Sequence, residues 1–74
     1  MNLLAGFTVL NSSAIAAFRY ESITASLDIH FRNGACYRYR NVPAATVHAF
    51  IQAHSHGRFF HLSIRNAFPC VRII

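Results

Sequence analysis

Histidine, cysteine and arginine hold almost all of the reactive chemistry that these 74 residues offer. His54, His56 and His61 lie close together, while Cys36 and Cys70 stand 34 positions apart. Zinc sites pair their ligands tightly, with roughly two to four residues between the members of each pair. Here the cysteines are unpaired and the histidines straddle a Ser-x-Gly helix break, so no metal site is expected. Cys36 and His30 fall opposite each other in the hairpin described below, which is the start of a Cys–His nucleophilic pair. Such a pair also needs an orienting group and a pocket, and Asp28, on the same face, sits on an open sheet. Glu21 and Asp28 are the only carboxylates, too few for paired acid–base catalysis. The expectation is a non-enzymatic protein with no cofactor and no small-molecule substrate.

Arginine is the stronger signal. All seven basic residues are arginine, at positions 19, 32, 38, 40, 58, 65 and 72, giving a net charge of +5 and a pI near 10.3. Such a balance favours polyanions, because each neutralised phosphate releases condensed counterions. The planar guanidinium also grips phosphate with a two-pronged fork and stacks on rings. Net charge for solubility is the competing explanation. Arg38 and Arg40 interleave with Tyr37 and Tyr39. On a sheet surface these tyrosines could stack bases; beneath a helix they would instead fill the core, which their alternation with the arginines favours. The candidate nucleic-acid contacts are therefore Arg38, Arg40, Arg58, Arg65 and Arg72, with Tyr37 and Tyr39 as stacking groups.

The element that must position these groups is a hairpin around Asn33-Gly34, the strongest short-range hairpin signal. A two-residue loop would set Ile29 against Arg38 and mix polar with apolar. A three-residue loop, Arg32-Asn33-Gly34 with a left-handed Gly34, pairs Phe31 with Ala35, Ile29 with Tyr37 and Leu27 with Tyr39. Register follows the buried face, so the second is chosen. A preceding strand, Ala14 to Tyr20 with Ala16, Phe18 and Tyr20 inward, then sets Arg19 against Asp28 and Asp28 against Arg38. The other face carries Arg19, Asp28, His30, Cys36, Arg38 and Arg40. Pro43 opens a helix that packs Val47, Phe50, Ile51 and His54 on the sheet. Ser55 caps a second helix with Phe60 and Ile64 on one side, and Cys70–Ile74 forms a terminal edge strand. The fold class is α+β: a three-stranded antiparallel meander followed by two short helices and a short C-terminal edge strand.

At 54% hydrophobic and 12% charged, the chain has the composition of one small folded domain. Residues 1–10 are apolar and sit apart from the domain of residues 11–74, as a packed extension, a partner-facing segment or a loose tail. Leu3–Leu10 resembles a short signal-peptide core with Ala14-Ile15-Ala16-Ala17 as a cleavage site after it, but it lacks a positive start, and cleavage there would remove a candidate strand. A cytoplasmic protein with no membrane span and reduced thiols is expected.

In order along the chain, Ser12-Ser13-Ala14-Ile15-Ala16, Tyr37-Arg38-Tyr39 with Val42-Pro43, Ser55-His56-Gly57-Arg58-Phe59-Phe60, Ile64-Arg65 and Phe68-Pro69 resemble the KTSC domain. That module is named for the C-terminal extension of some lysyl-tRNA synthetases and also occurs as a free-standing bacterial, plasmid or phage protein. The resemblance implies a compact α+β module for which RNA binding is the usual proposal. The sequence departs from the family in its first loop, Glu21 to Ser26, which is not Asp-Pro-rich, and in a helix after Pro43 without acidic residues. RNA, possibly tRNA, is thus the expected partner, ahead of DNA. The alternative is a protein-interaction module or homodimer that uses the apolar N-terminal segment or the edge strand.

Overall fold

The computed structural model describes residues 6–74. Seven elements follow in order: β1 (Thr8–Val9), β2 (Ile15–Glu21), β3 (Ser26–Phe31), β4 (Cys36–Tyr39), α1 (Ala44–Gln52), α2 (His56–Ser63) and β5 (Cys70–Arg72). The strands form one antiparallel sheet in sequence order. The class is α+β, but the sheet has five strands where a three-stranded meander with a separate edge strand was expected. The additional strand comes from the N-terminal segment. β-branched Thr8 and Val9 pair with Phe18 and Ala17, and Leu10 is buried, its N–H bonded to the Ala16 carbonyl at 2.9 Å. Residues 1–5 of that segment lie outside the described residues.

The central hairpin has the three-residue register. Leu27 pairs with Tyr39, Asp28 with Arg38, Ile29 with Tyr37 and His30 with Cys36, and the Phe31 N–H bonds the Ala35 carbonyl at 2.8 Å. Gly34 takes φ +94°, a conformation glycine adopts without the Cβ penalty. β2 and β3 pair Phe18 with Ile29, Arg19 with Asp28 and Tyr20 with Leu27, and the ladder runs one pair further, to Glu21 and Ser26. At its start β2 departs from simple alternation. A bulge between Ile15 and Ala17 absorbs Ala16, so Ile15, opposite Phe31, takes the core position expected for Ala16.

Both helices cover the face carrying Ile15, Phe18, Leu27, Ile29 and Tyr39. Phe50 from α1 meets Phe18 edge-on at 5.6 Å between centroids; Phe60 from α2 meets Phe31 at 5.3 Å and Tyr39 at 5.4 Å. Such edge-to-face pairs add to simple area burial. The inward stripe of α1 is narrower than its spacing predicts: Val47 and Phe50 are buried, but Ile51 is 44% exposed and His54 lies beyond the helix end at Gln52. Ser55 does cap α2, its Oγ accepting from the Arg58 N–H at 3.2 Å. Across the sheet, the Tyr20 hydroxyl donates to the Val42 carbonyl at 2.7 Å, tying β2 to the entry of α1.

Phe50→Ala is expected to lower the unfolding free energy by about 3–5 kcal/mol through loss of contact and cavity formation. Ile23→Ala, at a position 92% exposed, is expected to change it by less than about 0.5 kcal/mol. Urea denaturation followed by circular dichroism measures both, and similar losses at the two positions would contradict this core.

Candidate functional site

The strand arginines occupy two faces of the sheet. On the side away from the helices, Asp28 is the organising group. Alternation along β3 places it there, between Arg19 of β2 and Arg38 of β4. Arg38 donates from Nε to Oδ1 at 2.8 Å and from Nη2 to Oδ2 at 3.1 Å, a two-pronged contact. Arg19 donates to Oδ2 from Nη2 at 2.8 Å and from Nε at 3.3 Å. Asp28 is therefore only 3% exposed, not on an open sheet, while the side chains of Arg19 and Arg38 remain 40% and 37% exposed. Burial pushes the Asp28 carboxyl up, but hydrogen bonds from Arg38 and then Arg19 outweigh it and hold the group below its ordinary value of 3.8. In turn Asp28 raises the pKa of Arg38.

Around this clamp lies a shallow depression of about 520 Å³, bordered by Arg40, Thr24, Ser26 and Asn41 and also by Glu21. Arg40 is exposed and follows Arg38 on the same alternation. Phe7 closes the other end of this face: the Arg19 guanidinium carbon sits 4.4 Å from its ring centre, and the His30 ring meets it edge-on at 6.1 Å. Cys36, opposite His30, is fully buried, and burial followed by the Asp28 charge pushes its thiol above the ordinary range. Cys70 is a free thiol at the surface. Among the described residues, no three His, Cys, Asp or Glu side chains converge in a geometry that would hold a metal ion.

The remaining candidates lie elsewhere. Arg72 pairs across β4–β5 with Tyr37, so it shares the helix-side face and not the face of Arg38. Its Nε donates to the Ile74 carbonyl at 2.8 Å. Arg65, just beyond α2, donates from Nη1 to Nδ1 of His61 at 3.4 Å. Beside it, an aromatic groove of about 470 Å³ runs along Phe31, Tyr37 and Phe60, edged by Asn33 and Asn66. Tyr37 is half-buried there, whereas Tyr39 is 4% exposed and belongs to the core. Burial, then the neighbouring Cys70, pushes the Tyr39 phenol up to about 12. Arg58 projects from α2 beside a third hollow, lined with Phe59 and Leu62. The seven candidate residues thus do not form one patch. Arg19 belongs to this site although it is not among the seven candidates, and its expected pairing with Asp28 is the sequence signal that places it here.

Asp28→Asn is expected to cost about 1.5–3 kcal/mol at neutral pH, the range for hydrogen bonds to charged groups. Because the folded carboxyl titrates below its ordinary value, its stabilisation is fully present above pH 3.8 and is lost as pH falls through the folded value. The stability gap between parent and variant in chemical denaturation should therefore narrow only in acid.

Sequence and structure comparisons agree on the relatives of this chain. The KTSC domain model matches residues 11–68. A lysine–tRNA ligase from Nostoc sp. (strain PCC 7120) is 38% identical over 56 residues, which is 76% of this chain but only 10% of that protein. A ligase of the same name from Trichormus variabilis has the same coverage. The chain thus spans about a tenth of the length of these ligases. An uncharacterised protein from Stutzerimonas stutzeri (strain A1501) is 38% identical over 52 residues, covering 70% of this chain and 73% of that one. The crystal structure of a KTSC domain protein from Yersinia pestis superposes with a TM-score of 0.89 at 34% identity, covering 92% of this chain and 96% of the other. With most of its length matched in sequence and nearly all of it in fold, the chain belongs to the KTSC domain family.

Proposed function

We propose that this chain is a small non-enzymatic RNA-binding module that contacts the phosphate backbone through arginine. The observation that carries this reading is the distribution of charge. Arg40, Arg58, Arg65 and Arg72 are exposed, and the carboxylate Asp28 is enclosed between two further arginines. Arg40, Arg65 and Arg72 are assigned as positioning contacts, which fix register without reading bases. Arg38 contributes only the part of its guanidinium that Asp28 does not hold. Arg58 adds charge from α2. The two ligase relatives give the reading a second support, since tRNA is the nucleic acid in their name.

A second reading rests on β5. Cys70, Val71 and Arg72 are all exposed at the sheet edge, next to exposed Ile73 and Ile74. An apolar edge of this kind is a template for strand pairing, which fits a homodimer or a protein partner. Sedimentation over a range of concentrations separates the two readings. A dimer lost in a Val71→Lys variant, without RNA affinity, would favour the second.

For the first reading, fluorescence anisotropy with short single-stranded RNA should show affinity falling steeply with salt, by about 0.7 in log K per log salt for each phosphate engaged. Arg40→Ala should weaken single-stranded and duplex RNA alike and reduce the salt slope by about 1 or slightly less. Absence of binding at low salt, or affinity independent of salt, would overturn the proposal.

A further inference from the structure

The groove on the helix side of the sheet combines three features. Its floor is aromatic: Phe31 and Tyr37 meet edge-on with centroids 6.0 Å apart at 77°, and Phe60 stands over Phe31. Its volume, about 470 Å³, lies within the roughly 300–1,000 Å³ of small-ligand pockets. The side-chain charge along it is of one sign. Arg65 borders it and Arg72 is the cross-strand neighbour of Tyr37. Neither of the chain's two carboxylates is close: Asp28 lies on the other face of β3, and Glu21 ends β2 at the end of the sheet remote from Phe31. At the rim, Asn33 Oδ1 accepts from the Ala35 N–H at 3.0 Å, and among the described residues the amide Nδ2 of Asn33 has no hydrogen-bond partner.

An occupant that matches this surface is planar, offers hydrogen-bond acceptors on its edge and carries negative charge beside the plane. An unpaired nucleobase with its flanking phosphates has all three properties. We infer that the Tyr37 groove receives one unpaired base of single-stranded RNA, stacked on Tyr37, with Arg65 and Arg72 holding the adjoining phosphates. The inference rests on the RNA-binding reading above and adds a preference to it. Backbone contacts alone treat paired and unpaired RNA similarly, whereas a stacking groove admits only bases already out of the helix. Tyr39, packed under Phe60, supports the groove from below and does not stack.

The test uses the whole chain, a short oligouridylate carrying one 2-aminopurine, and a fully paired RNA duplex. Tyr37→Leu keeps apolar bulk and removes the ring; Arg40→Ala serves as the backbone control, and circular dichroism checks that both fold. Stacking should quench 2-aminopurine on binding to the parent. Tyr37→Leu should abolish the quench and weaken the single strand by about fivefold or more, the lower end for loss of one stacked base, with duplex affinity unchanged. Equal binding of the single strand by parent and Tyr37→Leu, while Arg40→Ala still weakens both RNAs, would overturn the groove assignment and leave the backbone reading standing. Failure of the parent to bind either RNA would overturn both.

Discussion

Asp28 is the point on which this small structure turns. A carboxylate on the middle strand of the β2–β3–β4 ladder would be costly to bury alone, and it is buried only because Arg19 and Arg38 approach from the strands on either side. The clamp therefore joins three strands through side chains as well as backbone. It also specifies register. A slip of one residue would drive Asp28 into the apolar face beneath Phe50 and Phe60 and turn Ile29 or Leu27 to solvent. A buried ion pair is weak evidence for net stability; its value here is that alternative pairings of the same strands would strand a charge.

The clamp also sorts the charge of the protein. One of two carboxylates is enclosed, and it engages the two arginines nearest to it. Positive charge without a side-chain ion pair remains on exposed Arg40 at one side of the sheet and on exposed Arg65 and Arg72 at the other. The aromatic side chains complete the division. Phe18, Phe50, Phe60 and Tyr39 interlock as core, while Phe31 and Tyr37 pack against it only partly buried and line the groove. Half-buried aromatics beside exposed arginine are the residue types that single-stranded nucleic acid engages through stacking and charge.

Much of this was legible in the sequence because local and global signals coincide in the hairpin. Asn33-Gly34 marks the turn, alternation on both sides fixes the face, and only one loop length satisfies both. Every pair from Leu27–Tyr39 to His30–Cys36 follows from that. Elsewhere the signal fails for identifiable reasons. Thr8–Val9 is too short for any periodicity, so β1 exists only through its pairing with Phe18 and Ala17. The bulge at Ala16 hides within a run of small apolar residues. Burial of Asp28 depends on two side chains closing over it, which alternation does not encode. The separation of Arg72 from Arg38 depends on the β4–β5 register, set by contacts between strands joined through both helices.

The most direct test of the account is a titration of the isotope-labelled protein with a short single-stranded RNA, followed by amide chemical shifts. Shifts should gather at Phe31–Arg40, at Arg65 and Asn66, and along Cys70–Arg72, leaving the outward residues of α1, such as Ala45 and His48, unmoved. Shifts confined to α1, or no shifts at low salt, would contradict the assignment of the sheet and its aromatic groove as the RNA-binding surface.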